Sequence, residues 1–248
     1  MMFAVSELDL GTSEADWLAS PRITQAPVIT WGPPGRVLVV APHPDDEVLG
    51  VGGSIACLSR SGHSIAIASV TDGEASHPSS PTVTRAVMTE RRTSERRDAL
   101  LRLGVGNAGV SRLRYPDGEV TRSISELADR LIALLSGVSL CLAPFERDGH
   151  PDHDASGRAA SIACAATRAR LLRYPVWAWH WARPEGEDFP WDRLRRVPLA
   201  PEVLAAKRAA ICLYRSQILP LSARHGDEAI LPPPVVRRFE RPFEVLFE

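Results

Sequence analysis

The stretch Arg36-Val37-Leu38-Val39-Val40-Ala41 is β-rich and almost wholly apolar, without the polar alternation of a strand that has one face in water. A strand of this kind must be covered on both sides, which points to a parallel sheet layered between helices. The chain then repeats the unit. A helix is expected from about Val48 to Arg60, ending at Gly62, before the strand Ser64–Val70. After a polar loop over 75–83, a helix is expected from about Thr84 to Leu103 and a short strand around Leu113. Ser123, with Glu126 three residues on, predicts a capping box opening a helix through Leu135. Ser139–Ala143 reads as a buried strand, followed by a helix to about Ala169. Beyond it, Leu171–Trp181 reads as a strand, Pro201–Tyr214 as a helix and Phe243–Phe247 as strand-like. Four strand–helix units predict an α/β fold: a Rossmann-like three-layer sandwich with a mostly parallel central sheet. No linker or repeat divides residues 1–248, so one domain is expected, with 1–35 a peripheral N-terminal extension and a core at about 36–220.

Composition excludes several classes of function. A net charge of -1 supplies no attraction to nucleic acid or to an anionic membrane surface. The hydrophobic fraction of 44% is that of a soluble globular chain, and no apolar run approaches the ~18 residues of a membrane span. Cys57, Cys141, Cys164 and Cys212 are far apart, with no Cys-x-x-Cys pair, so a thiolate metal site or disulfide framework is not expected. Glu7, Asp9, Glu14 and Asp16 give an acidic start unlike a signal peptide. A cytoplasmic enzyme is the default expectation.

Two clusters carry the chemistry. His43-Pro44-Asp45-Asp46-Glu47 follows the first predicted strand, and His150-Pro151-Asp152-His153 follows a later strand of the same sheet. Ligands bind such sheets beyond the carboxyl ends of the strands. Asp45, Asp46 and Glu47 could merely complement the positive end of the following helix, but that leaves His43 without a role. Gly50, Gly52 and Gly53 do not form a dinucleotide fingerprint, and three carboxylates stand where a pyrophosphate needs bare amides. Two imidazoles and a carboxylate suit Zn²⁺ with an open water position, at about 2.0–2.2 Å per bond. His43 and Asp46 could converge on one ion with Asp45 beside it. Of His150 and His153, one could bind metal while the other faces substrate. A carboxylate off the metal serves as general base and an imidazole stabilises an oxyanion, which together describe amide or ester hydrolysis.

These residues resemble the PIG-L/LmbE family of zinc-dependent N-acetylglucosaminyl deacetylases. The likeness rests on Ala41-Pro42-His43-Pro44-Asp45-Asp46-Glu47 with Gly50-x-Gly52-Gly53, and on His150-Pro151-Asp152-His153. Thr71-Asp72-Gly73-Glu74, Arg92-x-x-Glu95, Tyr115-Pro116-Asp117-Gly118, Lys207 and Ser216-Gln217 extend it over about residues 36–220. The resemblance implies one zinc ion per chain, or Fe²⁺ or another divalent ion, held by His43, Asp46 and His153. It implies Asp45 as general base and His150 as the oxyanion group that helps protonate the leaving amine. It implies Asp117 as a contact to sugar hydroxyls and an N-acylated aminosugar or glycoconjugate as substrate. Some members carry a tyrosine two residues before the first histidine of the closing signature; this chain has Asp148, which is expected to bind substrate or face solvent.

Other segments are read more plainly. Glu90–Asp98 is expected to be a solvated helix surface, with Arg91 and Glu95 at i,i+4 spacing. Arg85, just upstream, is a candidate substrate contact. Trp177, Trp179 and Trp181 alternate at strand period and would share one face, as core or as a subunit contact. Rival functions are an amidase that removes a larger acyl group from a thiol–sugar conjugate, a non-haem Fe(II) oxygenase, and a zinc-retaining binding protein without catalysis.

Overall fold

Ahead of the first strand the chain turns through two short helices, α1 (Glu14–Ala19) and α2 (Pro21–Thr24). Strand β1 (Arg36–Ala41) then enters the interior, followed by α3 (Asp46–Arg60), β2 (Ser64–Thr71), α4 (Arg85–Arg102) and β3 (Gly109–Tyr115). Next come α5 (Ile124–Leu134), β4 (Val138–Pro144), α6 (Pro151–Thr167), β5 (Arg170–Tyr174) and α7 (Ala178–Trp181). The remaining elements are β6 (Leu194–Pro198), α8 (Pro201–Ile211), α9 (Arg215–Ile218), α10 (Pro233–Val236) and β7 (Phe243–Phe247). The structure is a computed structural model and describes residues 11–248.

The strands form one seven-stranded sheet in the order β3-β2-β1-β4-β5-β7-β6. Strands β1 to β5 pair in parallel, and β7 runs antiparallel between β5 and β6. Every residue of β1 after Arg36 is buried, as its unbroken apolar run requires. Val37, Val39 and Ala41 join one core with apolar residues of α3, α4 and α8. Leu38 and Val40 face the opposite core, built with Leu127 and Leu131 of α5 and Ala155, Ala159, Ala160 and Ala163 of α6. The expected three-layer, mostly parallel α/β sandwich is what forms.

This topology places the site. The chain winds outward through β1, β2 and β3, then returns to β4 on the other side of β1. Strand order therefore reverses between β1 and β4, where a crevice opens beyond their carboxyl ends. His43 follows β1 by two residues and His150 follows β4 by six. Close packing keeps both loops near the crevice. A Cβ on Gly157 of α6 would stand 2.6 Å from the Pro144 carbonyl oxygen, and one on Gly50 of α3 would stand 2.2 Å from the Tyr174 ring. Glycine at both positions lets the helices approach the sheet that closely.

Several expectations are corrected. Leu171–Trp181 is not one strand: β5 ends at Tyr174 and the chain turns at Pro175 into α7. The three tryptophans therefore do not alternate on a sheet face. Trp179 is buried, Trp177 half-buried and Trp181 exposed. The run Glu90–Asp98 is not a uniformly solvated surface, because Arg92 and Arg96 are 3% and 2% exposed. Their guanidinium groups turn inward to buried acceptors, Arg96 onto the Ser69 hydroxyl. Ser123 makes no side-chain cap; a 3₁₀ turn over Val120–Ser123 leads into α5, and Glu126 accepts a hydrogen bond from the Tyr115 hydroxyl instead.

Residues 11–35 are packed into the molecule, with Trp17 and Ile23 fully buried. The Trp17 indole N–H donates to the Trp179 carbonyl at 2.9 Å, and Arg241 forms a bidentate pair with Glu14 at 2.7 Å. A long apolar indole without a sheet of its own finds its burial against α7. The part of the extension before residue 11 lies outside the described residues. At the other end, β7 stands inside the sheet, beyond the expected core limit of 220. Among the described residues no helix is long and apolar enough to cross a membrane.

Candidate metal centre and active-site cleft

The first cluster is shaped by a backbone that only tertiary contacts sustain. Asp45 has φ 152°, a left-handed conformation costly for any residue with a Cβ and typical of strained functional turns. Its carbonyl accepts the amides of Val48 and Leu49 at 2.9 and 2.8 Å, so Asp45 starts α3 and Asp46 is its first residue. The His43 amide donates to Asp46 Oδ2 at 2.9 Å, folding the turn back on itself. The second cluster caps α6: His150 precedes it, Pro151 stands at its first position, and His153 lies within its first turn, fully buried.

Three donor atoms from the two clusters meet. His43 Nδ1, Asp46 Oδ2 and His153 Nε2 stand 3.3 Å from one another on all three sides. Ligands of a tetrahedral ion bound at about 2.0–2.1 Å stand about 3.3–3.4 Å apart, so the triangle has the dimensions such an ion needs. Two other groupings bring three donors within 4.8 Å, namely His43 with His150 and His153, and His43 with Asp117 and Asp152. Each contains His43, as the triangle does. The donor chemistry fits a divalent cation of the zinc type.

Both imidazoles are backed by carboxylates, as metal-bound histidines usually are. His43 Nε2 is 3.2 Å from Asp152 Oδ2 and 3.1 Å from Asp117 Oδ1. Asp152 is itself fixed by the amides of Gly118 and Val120 at 2.7 and 3.1 Å, and Asp117 by the Ala75 amide at 2.8 Å. His153 Nδ1 stands 2.8 Å from Asp148 Oδ2, a close charge contact that is not aligned as a hydrogen bond. Asp148 is completely buried and neither meets solvent nor lines the cleft, contrary to expectation. In place of a tyrosine's phenol, this position sets a buried carboxylate against the His153 ring.

Asp45, on the same turn, pairs with Arg92. The guanidinium donates from Nη2 to Asp45 Oδ2 at 3.0 Å and to the Pro44 carbonyl at 2.9 Å, and from Nη1 to the Gly73 carbonyl at 3.1 Å. Burial is the largest influence on Asp45 and lifts its carboxyl; the Arg92 charge opposes it, leaving the group at about 7. Glu47, also buried and raised by burial, accepts from the Tyr214 hydroxyl at 2.8 Å and sits on the Asp45 amide at 3.3 Å.

His150 behaves differently from the other two histidines. Burial first, then the charges of His153 and His43, push it down to about 3, so it is neutral. Its Nδ1 accepts the Asp152 amide at 3.2 Å, which leaves the proton on Nε2. His153 is lifted to about 9: burial opposes its charge, but Asp46 and Asp148 outweigh burial. His43 is raised well above the usual value in the same contest, with Asp117 foremost among its carboxylates. Protonated ligands must release their protons to bind metal, so zinc affinity should rise from pH 6 to 8 by about tenfold per unit for each proton displaced. Competition with a chelator at pH 6, 7 and 8 would check this. A dissociation constant flat over that range would contradict proton-loaded imidazoles.

The cleft beside the triangle, counted with the solvent space at its mouth, spans about 560 Å³. Its polar lining includes His43, Asp45, Asp46, Arg92, Asp117 and His150, and its apolar lining Trp177 and Ile230. The Trp177 ring lies 6.4 Å from His150 at 22°, nearly parallel to it. The structure thus brings together six of the seven residues singled out from sequence, His43, Asp45, Asp46, Asp117, His150 and His153. Arg85, the seventh, is exposed at the start of α4, and Arg92 two turns later reaches the cleft instead. His77 is held between Ser76 and the Glu228 carbonyl. In the sequence, Glu47, Arg92, Asp152 and Gln217 stand in motifs that assign none of them an individual role.

The PIG-L family model, described as GlcNAc-PI de-N-acetylase, matches residues 38–164, just over half of the chain and both clusters. The chain belongs to the PIG-L family. The PIG-L chain is 29% identical over 159 residues to the 1D-myo-inositol 2-acetamido-2-deoxy-alpha-D-glucopyranoside deacetylase of Actinosynnema mirum. It is 32% identical over 147 residues to the probable N-acetyl-alpha-D-glucosaminyl L-malate deacetylase 2 of Bacillus cereus. These matches cover 54% and 57% of the PIG-L chain and 56% and 65% of the relatives, so it spans less than two thirds of either. Among solved structures, the conserved protein TT1542 from Thermus thermophilus is 29% identical, with a TM-score of 0.58 over 82% of this chain and 84% of that one.

Proposed function

We propose that this chain is a metal-dependent N-deacetylase of an N-acetylglucosamine conjugate, with zinc as its ion. The observation that carries the reading is the pairing of a 3.3 Å donor triangle with a separate buried carboxylate, Asp45, on the same cleft. A binding protein needs the first and has no use for the second. The two relatives, whose names join an acetamido sugar to inositol or malate, supply the substrate class. Cis ligands of an octahedral ion with similar bonds would stand about 3.0 Å apart, which favours tetrahedral zinc over the oxygenase triad.

Held by His43, Asp46 and His153, the ion would acidify a water and polarise the amide carbonyl. Asp45 then takes the proton of the attacking water, its pKa near 7 suiting it to accept and later return that proton. His150, neutral with its proton on Nε2, donates a hydrogen bond to the oxyanion as it forms. A neutral imidazole is a far weaker acid than a protonated carboxyl, so Asp45 returns the water's proton to the departing amine. Asp117 and Arg92 line the cleft where sugar hydroxyls would lie.

Acetate release from a panel of N-acetylglucosaminides, inositol and malate conjugates among them, tests the proposal. Zinc-loaded protein should release acetate, chelator should abolish this, and added zinc should restore it. Faster release of longer acids would favour the larger-acyl amidase, and oxygen consumption the oxygenase. No acid release by zinc-loaded protein from any member would leave the proposal without support.

A further inference from the structure

Asp148 does more than stand behind His153. Its carboxylate has no solvent exposure and faces four partners. Oδ1 accepts the amides of Val176 and Ala178 at 2.8 and 2.9 Å. Oδ2 accepts the Trp177 amide at 2.9 Å and stands 2.8 Å from His153 Nδ1. The Asp148 carbonyl takes the Trp181 indole N–H at 2.7 Å. A carboxylate offers about four acceptor positions, and here each has a claimant; a carboxamide offers about half as many. The amides belong to the turn that closes β5 and presents Trp177 to the cleft beside His150. That turn lies beyond the matched family region of 38–164.

We infer that Asp148 is a positioning residue that ties the orientation of a metal ligand to the wall of the substrate cleft. A cation on His153 Nε2 requires the ring proton on Nδ1, and the negative charge of the Asp148 carboxylate, 2.8 Å away, favours the proton there. The same carboxylate holds residues 176–178, and with them Trp177, in place. Filling the metal site therefore firms the wall, and loosening the wall weakens the metal site.

The replacement Asp148→Asn separates these roles from simple packing because its shape is nearly unchanged. With the carboxamide oxygen toward Val176 and Ala178, its NH₂ meets the Trp177 amide and His153 Nδ1. That favours a proton on Nε2, the tautomer that cannot bind metal. Chelator competition should show zinc binding weakened about 10–100-fold. At saturating zinc, KM for an N-acetylglucosaminide should rise several-fold, an arm that rests on the deacetylase reading. The other arms need no turnover, so failure of that reading would be recognised separately. In wild-type protein, hydrogen exchange at residues 176–178 should slow when zinc is added, a readout that stands even if the variant does not fold. Unchanged zinc affinity in folded Asp148→Asn would overturn the link to His153. Unchanged exchange at 176–178, or an unchanged KM at saturating zinc, would overturn the link to the wall.

Discussion

Asp45→Asn is expected to bind zinc like the wild type and to lose turnover by about 10²–10⁴-fold, the usual contribution of a positioned general base. Asparagine keeps the shape of the turn but cannot take a proton from water. The change also leaves Arg92 facing a neutral partner. Removing one member of a buried ion pair generally costs about 3–5 kcal/mol. Here the loss falls below that range, because burial already holds the Asp45 carboxyl at about 7 and thus only partly ionised at neutral pH. Two carbonyls, of Pro44 and Gly73, continue to hold the guanidinium. Zinc content by mass spectrometry, thermal melting and acetate release on the same preparation check the prediction. Near-wild-type turnover in folded, zinc-loaded Asp45→Asn would remove Asp45 from the chemistry.

His153→Ala should lose both metal and turnover. Removing a backing carboxylate costs about 10–100-fold in metal affinity, so losing one of three ligands should exceed that. The variant also empties a fully buried site and leaves Asp148 and Asp46 without the imidazole between them. Burial of carboxylates without a cation raises the cost of folding, so the melting temperature should fall as well. Adding imidazole to the folded variant should restore some zinc binding. If His153→Ala retains wild-type zinc affinity, the 3.3 Å triangle is not the metal site and the grouping of His43 with Asp117 and Asp152 takes its place.

Much of this site was legible in the order of residues. The run Arg36–Ala41 is apolar at successive positions, and such a strand has to be sandwiched; histidines and carboxylates placed after it then fall on the rim of a parallel sheet. His43, Asp45 and Asp46 share one turn, and His150 and His153 share the first turn of a helix, so local geometry alone brings each set near its own strand end. Residues acting from elsewhere could not be seen that way. Arg92 sits in a run of charges that, by composition, belongs on a solvated helix face. It is buried because α4 passes over the first cluster, where Pro44, Asp45 and the neighbouring Gly73 supply three acceptors to its guanidinium. Trp177, Trp179 and Trp181 alternate as a strand would, yet Asp148 gathers the amides of 176–178 and bends the chain into α7.

Sequence by itself determined the layered α/β architecture, the candidate side chains for a metal site and the presence of a spare acid beside them. These depend on patterns within a few residues of one another, where side-chain type and spacing decide the outcome. Only the tertiary structure decided that β1 and β4 are neighbours at the reversal of strand order. That contact puts His43 and His153 3.3 Å apart, although 110 positions separate them in the chain. It also decided which acids stand behind the imidazoles, since a buried carboxylate is placed by the amides and charges that satisfy it, and those arrive from distant segments.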